Sequence, residues 1–135
     1  MAHEHIVYMM LVDSAVRAGD ETAIRQFAPQ LEELALRDDH KPYLAVAHRA
    51  WGVAHRLAEE YQEAETRLEK ALEIFEEINT RWQIGRTLFE LGELAMAKAD
   101  GGAAQSYFSR AQDLFEELGA GPDMIRTQTM IETRG

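Results

Sequence analysis

The histidines are the first residues to weigh for chemistry. His48 and His55 stand seven apart around Trp51, and His3 and His5 lie near the amino terminus. Two imidazoles on one helix hold a metal best at four-residue spacing, as in the zinc signature with its intervening glutamate. Neither pair has that spacing, so no metal is expected: His48 and His55 read as packing histidines, His3 and His5 as a solvated end. The "DGG" at 100–102 lacks the lysine and the serine or threonine of a phosphate-binding loop and reads as a turn. Ser14, Ser106 and Ser109 have no glycine elbow to present a nucleophile. The carboxylates are interspersed with basic residues, as in "EAETRLEK", which is the pattern of a solvated helix face and not of a paired acid and base. The chain therefore reads as no enzyme, with no catalytic residues and no cofactor.

Composition narrows the remaining classes. A chain of 135 residues, 46% of them hydrophobic, is long enough for one domain with its own core. Its net charge of -10 repels the phosphate backbone from which nucleic-acid binders draw most of their affinity, so no nucleic-acid partner is expected. The absence of cysteine suits a reducing compartment. No apolar run approaches the roughly 20 residues of a membrane span, and "MAHEHIVYMMLVD" lacks the basic start of a secretory signal, so a cytoplasmic location and no membrane partner are expected.

The elements that must position any site are announced by a repeat. "IFEEI" at 74–78 returns as "LFEEL" at 114–118, and under the same forty-residue shift Gly52 falls on Gly92, Ala64 on Ala104, Ala71 on Ala111 and Phe75 on Phe115. Trp51 and Leu91, and Leu68 and Phe108, match in kind. A fixed period of this length is the mark of a solenoid. Leu44, Ala47, Trp51, Ala54 and Ala58 step by three and four, as do Tyr61, Ala64, Leu68, Ala71, Phe75 and Ile78. Each set draws a stripe down one helix, so each unit is a helical hairpin. Pro42 and Pro122 share a phase near the start of a first helix, where a missing N–H is tolerated. One unit earlier, 3–18 and Ile24, Phe27, Leu31 and Leu34 make another hairpin, with Pro29 expected to kink or restart its second helix. The methionines of "YMML", with Met96, Met124 and Met130, read as core filler. Residues 122–133 supply a polar last helix, read as a cap.

The spacing of Gly52, Ala64, Leu68 and Ala71, and of Leu88, Leu91, Gly92, Ala104, Phe108 and Ala111, resembles the tetratricopeptide repeat (TPR), in a longer, forty-residue variety similar to that of bacterial signalling regulators. Val12 stands where the first unit should have its small residue, Ile24 where it should have alanine, and Glu76 and Glu116 where the family ends a repeat with proline. The resemblance implies one all-α domain over 1–135: a right-handed α-solenoid of three hairpins, about 1–40, 41–80 and 81–120, plus a C-terminal capping helix at about 121–134. It also implies a protein-interaction module or adaptor that binds a peptide or partner helix in a concave groove lined by the first helices. Carried over through Gly52 and Gly92, the groove places are Val46, Arg49, Val53 and Arg56, then Arg86, Phe89, Glu93 and Met96. Ile6, Met9, Asp13 and Val16 precede them, and Arg126 follows. Their arginines suit an acidic partner and Phe89 and Met96 an apolar one. The alternative is a self-associating scaffold, such as a homodimer, or a sensor piece of a larger regulator.

Overall fold

The computed structural model describes residues 2–134, with side chains described from 6 to 132. They form seven α-helices: α1 (Ala2–Ala18), α2 (Glu21–Arg37), α3 (Lys41–Leu57), α4 (Tyr61–Glu77), α5 (Arg81–Ala97), α6 (Gly101–Leu118) and α7 (Gly121–Arg134). No strand occurs among the described residues. The helices fall into two compact units, Met1–Ile78 with α1 to α4 and Asn79–Gly135 with α5 to α7. In the first, α1 packs on α2 and α3, and α3 lies between α2 and α4. In the second, α6 packs on α5 and on α7.

The turns are more regular than the repeat in the sequence. A residue with left-handed backbone follows each of the first six helices, at Gly19, Asp39, Glu59, Asn79, Ala99 and Gly119, every twenty residues. After Gly19, Asp39, Glu59, Ala99 and Gly119, the next amide reaches back five residues, as from Asp20 N to Ala15 O and from Asp100 N to Ala95 O. This is the Schellman closure, which satisfies the orphaned carbonyls of the last turn. Three helix starts carry a side-chain cap: Asp20 Oδ1 accepts from Ala23 N–H, Asp100 Oδ1 from Ala103 N–H and His40 Nδ1 from Tyr43 N–H. Pro42 sits in the first turn of α3, as expected.

In the pairs α3–α4 and α5–α6, a bare backbone on the first helix meets a bulky side chain on the second. A Cβ on Gly52 would lie 2.5 Å from Leu68 Cγ, and one on Gly85 would lie 2.7 Å from Phe115 Cε1. Ala64, Leu68, Ala71 and Phe75 of α4 are buried, as are Ala104, Phe108, Ala111 and Phe115 of α6. The ends of the hairpins repeat too: Lys41 of α3 pairs with Glu77 of α4, and forty residues on Arg81 of α5 pairs with Glu117 of α6. Both pairs are exposed, so they contribute little to stability.

Two expectations meet the structure differently from their statement. Pro29 does not restart α2, which runs unbroken through it; its ring lies on the exposed face, where water can serve the carbonyl left without its helical partner. Met10 and Leu11 of "YMML" are exposed, not core. No helix among the described residues is long and apolar enough to cross a membrane.

Candidate functional site

The groove residues meet very different surroundings. In the first unit, Val46 and Val53 are buried on α3, and Arg49 between them is only 1% exposed. The Arg49 guanidinium lies 5.2 Å over the Phe75 ring, and its Nη2 is 3.8 Å from Asp13 Oδ1 on α1. Arg49 thus ties α1, α3 and α4 together inside the unit, a correction to its expected place on an open strip. Arg56 is half-buried, Asp13 and Met9 are half-buried on α1, Val16 is buried and Ile6 is exposed. Arg49 cannot offer its fork to a partner without leaving this environment, which would strand a charge away from water.

In the second unit, three of the expected residues come together. The Arg126 guanidinium on α7 lies 4.2 Å over the Phe89 ring, and Arg86 on α5 lies 5.2 Å over Trp82. Phe89 is buried and meets Phe108 edge-on, ring centres 5.4 Å apart. Arg86, Phe89 and Arg126 line one depression with Phe115, Asp123 and Thr127. Trp82 Nε1 donates to Asp123 Oδ2 at 2.8 Å, which pins the start of α7 to the start of α5. Arg86 is buried here and Arg126 half-buried, so Arg126 is the cation that presents itself. A guanidinium stacked on an aromatic face keeps its edge donors for a carboxylate, because the ring occupies only its flat side. Glu93 and Met96 are half-buried further along α5.

A second polar cluster, in the first unit, carries no signature in the sequence. Arg67 Nη1 on α4 donates to Glu32 Oε2 on α2 at 2.7 Å and lies 2.9 Å from His48 Nδ1 on α3. Glu32 Oε1 also accepts from Trp51 Nε1 at 3.1 Å, while Arg67 and Arg25 lie over the Trp51 ring. Burial, with Arg67 and Lys70 adding to it and Glu32 opposing, pushes the His48 imidazole down to about 4. A neutral Nδ1 can accept from Arg67, so this polarity is consistent with the geometry. His55 stacks on Trp51 and its Nδ1 is 2.7 Å from Glu60 Oε1, an exposed carboxylate held below its usual range first by that bond. His48 and His55 therefore answer to different partners. Among the described residues no group of three histidine or carboxylate side chains converges as a metal site would require; the side chains of His3 and His5 lie outside those residues.

No known protein family matches the chain in sequence, and no curated protein is significantly similar to it.

Proposed function

We propose that the chain is a TPR-like, right-handed stack of helical hairpins that acts as a protein-interaction module. Its partner is a peptide or helix carrying carboxylates beside apolar side chains, taken up on the face of α5 and α7. The observation that carries this reading is the stacking of Arg126 over Phe89, 4.2 Å away, beside Arg86 in one depression. That arrangement sets a cation against apolar surface, which is the pairing an acidic-apolar segment matches. The chain's overall charge of -10 makes the local cations more selective, since an acidic peptide is repelled elsewhere.

The test is fluorescence anisotropy with a labelled set of short peptides of Asp, Glu, Leu and Phe. At least one should bind, weaken with added salt, and weaken by about tenfold or more in Arg126→Ala. A set that fails to bind, or binding that neither salt nor Arg126→Ala changes, refutes the reading.

A further inference from the structure

The first two turns of α7 carry opposite charges three residues apart, Asp123 and Arg126. That spacing puts both on one side of the helix, near enough for a carboxylate to reach a guanidinium. Thr127, fully buried, fixes the stretch that bears them by donating from its Oγ1 to Asp123 O at 2.7 Å. Both charged side chains line one depression with Arg86, Phe89 and Phe115. Among the described residues, however, no ion pair joins the two. The carboxylate goes to Trp82 of α5, whose Nε1–H donates to Oδ2 at 2.8 Å, and the guanidinium lies over Phe89.

Trp82 owes this role to its surroundings. Its ring is 38% exposed and stands against the buried Arg86, whose guanidinium lies 5.2 Å over it. An indole N–H can only donate, and a carboxylate is the strongest side-chain acceptor it can meet. A carboxylate bonded to Trp82 is held off Arg126, so the edge donors of that guanidinium stay available to a partner. Glu90, buried one turn beyond Arg86 on α5, does not line the depression, which leaves Asp123 as the carboxylate within it. Once released from Trp82, Asp123 has Arg126 as the cation on its own helix face.

We infer, building on the reading of this face as a site for an acidic peptide, that Trp82 and Asp123 form a latch that sets whether Arg126 is available. Trp82 holds the carboxylate off the guanidinium; without that bond, Asp123 closes onto Arg126 and competes with the partner's carboxylate. Trp82 is thus a positioning residue, acting on the partner through Asp123. The latch gives the two residues effects of opposite sign on binding. A bond that merely fastened α7 to α5 would make the loss of either side harmful.

The experiment compares the full-length wild type with Trp82→Phe, Asp123→Asn and the double variant, their folds verified by circular dichroism, against the tightest of the labelled Asp, Glu, Leu and Phe peptides. Trp82→Phe removes the N–H and keeps a ring, so it should weaken binding by about three- to fivefold, the effect of one half-exposed ion pair. Asp123→Asn keeps an oxygen for Trp82 and removes the competing charge, so it should tighten binding by about twofold or more. The double variant should bind no worse than Asp123→Asn, because the Trp82 bond matters only while residue 123 is charged. In the free proteins, proton–nitrogen NMR spectra follow the Arg126 Nε–H, identified by its loss in Arg126→Lys. Its exchange with water should slow several-fold in Trp82→Phe and return to the wild-type rate when Asp123→Asn is added. Unchanged exchange in Trp82→Phe, or Asp123→Asn weakening binding as Trp82→Phe does, overturns the latch. Exchange that responds as expected while no peptide binds any form supports the latch and refutes the peptide reading alone.

Discussion

Gly92 of α5 lies against the ring of Phe108 of α6, so close that a Cβ would stand 2.6 Å from Phe108 Cε1 and 2.7 Å from Cδ1. The hairpin closes on backbone where most helix pairs close on side chains. Gly52 and Leu68 do the same one repeat earlier. In the first hairpin the bulk changes sides: Val12 occupies the glycine place and Ala28 the place of Leu68, and both are fully buried. Total volume is kept, which is what a packed interior requires.

Gly92→Ala should therefore destabilise the second unit by about 1 to 3 kcal/mol, because an aromatic ring locked in a core has little room to retreat. Adding Phe108→Leu should recover part of the loss, giving a coupling that a double-mutant cycle measures by denaturant midpoint. A single variant as stable as the wild type would mean the hairpin can open at no cost.

Phe75 and Phe115 are each 1% exposed. Truncating either to alanine should cost about 3 to 5 kcal/mol, through lost burial and the cavity left behind. Urea titrations of the two variants measure this. A loss below about 1 kcal/mol in both would place these rings outside the load of the core.

Arg49 and Arg126 should behave oppositely. Arg49→Ala removes a buried cation from between Phe75 and Asp13, so it should lower stability by about 2 to 4 kcal/mol, with the vacated volume adding to the lost contacts. Arg126→Ala removes a half-buried cation and should cost under about 1 kcal/mol while impairing peptide binding. Thermal melts of both variants, set beside the anisotropy assay, separate a folding role from a recognition role.

The His48 imidazole, pushed down to about 4 mainly by burial, links stability to pH. Between the ordinary histidine value of about 6.5 and 4, the unfolded chain binds a proton that the folded chain refuses. Stability should thus be fully present above that window and fall as pH drops through it, by at most roughly 3 kcal/mol. The check is the pH dependence of the urea midpoint in the wild type and in His48→Leu, since leucine occupies the equivalent place at Leu88. The variant should lose the part of the slope that lies in this window. Equal slopes would exclude His48 as its source.

Glu59 and Ala99 hold left-handed backbone at φ 62° and 61°. For a side chain bearing a Cβ this costs roughly 1 kcal/mol, partly offset by the greater freedom glycine gains in the unfolded chain. Glu59→Gly and Ala99→Gly should each raise stability by about 0.5 to 1 kcal/mol. Midpoints that fall instead would show that the unfolded-state term dominates.

The forty-residue repeat, the helix pairs and the inward places of Gly52, Leu68, Phe75, Gly92, Phe108 and Phe115 were legible in the chain alone. Helices of constant length packed on their neighbours bury the same phase each time, so burial becomes a one-dimensional period. The twenty-residue period of the turns was only partly legible, because Gly19 and Gly119 advertise it strongly and the residues between them weakly or not at all. Asn79 and Asp39 are polar residues that tolerate left-handed backbone, but Glu59 and Ala99 are not residues that mark it. The fate of the arginines was decided by tertiary structure as well. Arg49 and Arg126 share a predicted strip, but Asp13 and Phe75 enclose the first while Phe89 holds the second half-open. The cluster of Glu32, His48, Trp51 and Arg67 joins three helices across 19 and 35 residues of chain. No periodicity encodes such a contact, since it depends on which faces meet once the helices have packed. The same holds for Met10: its apolar character is written in the sequence, but its 61% exposure is decided by how α1 packs on α2 and α3.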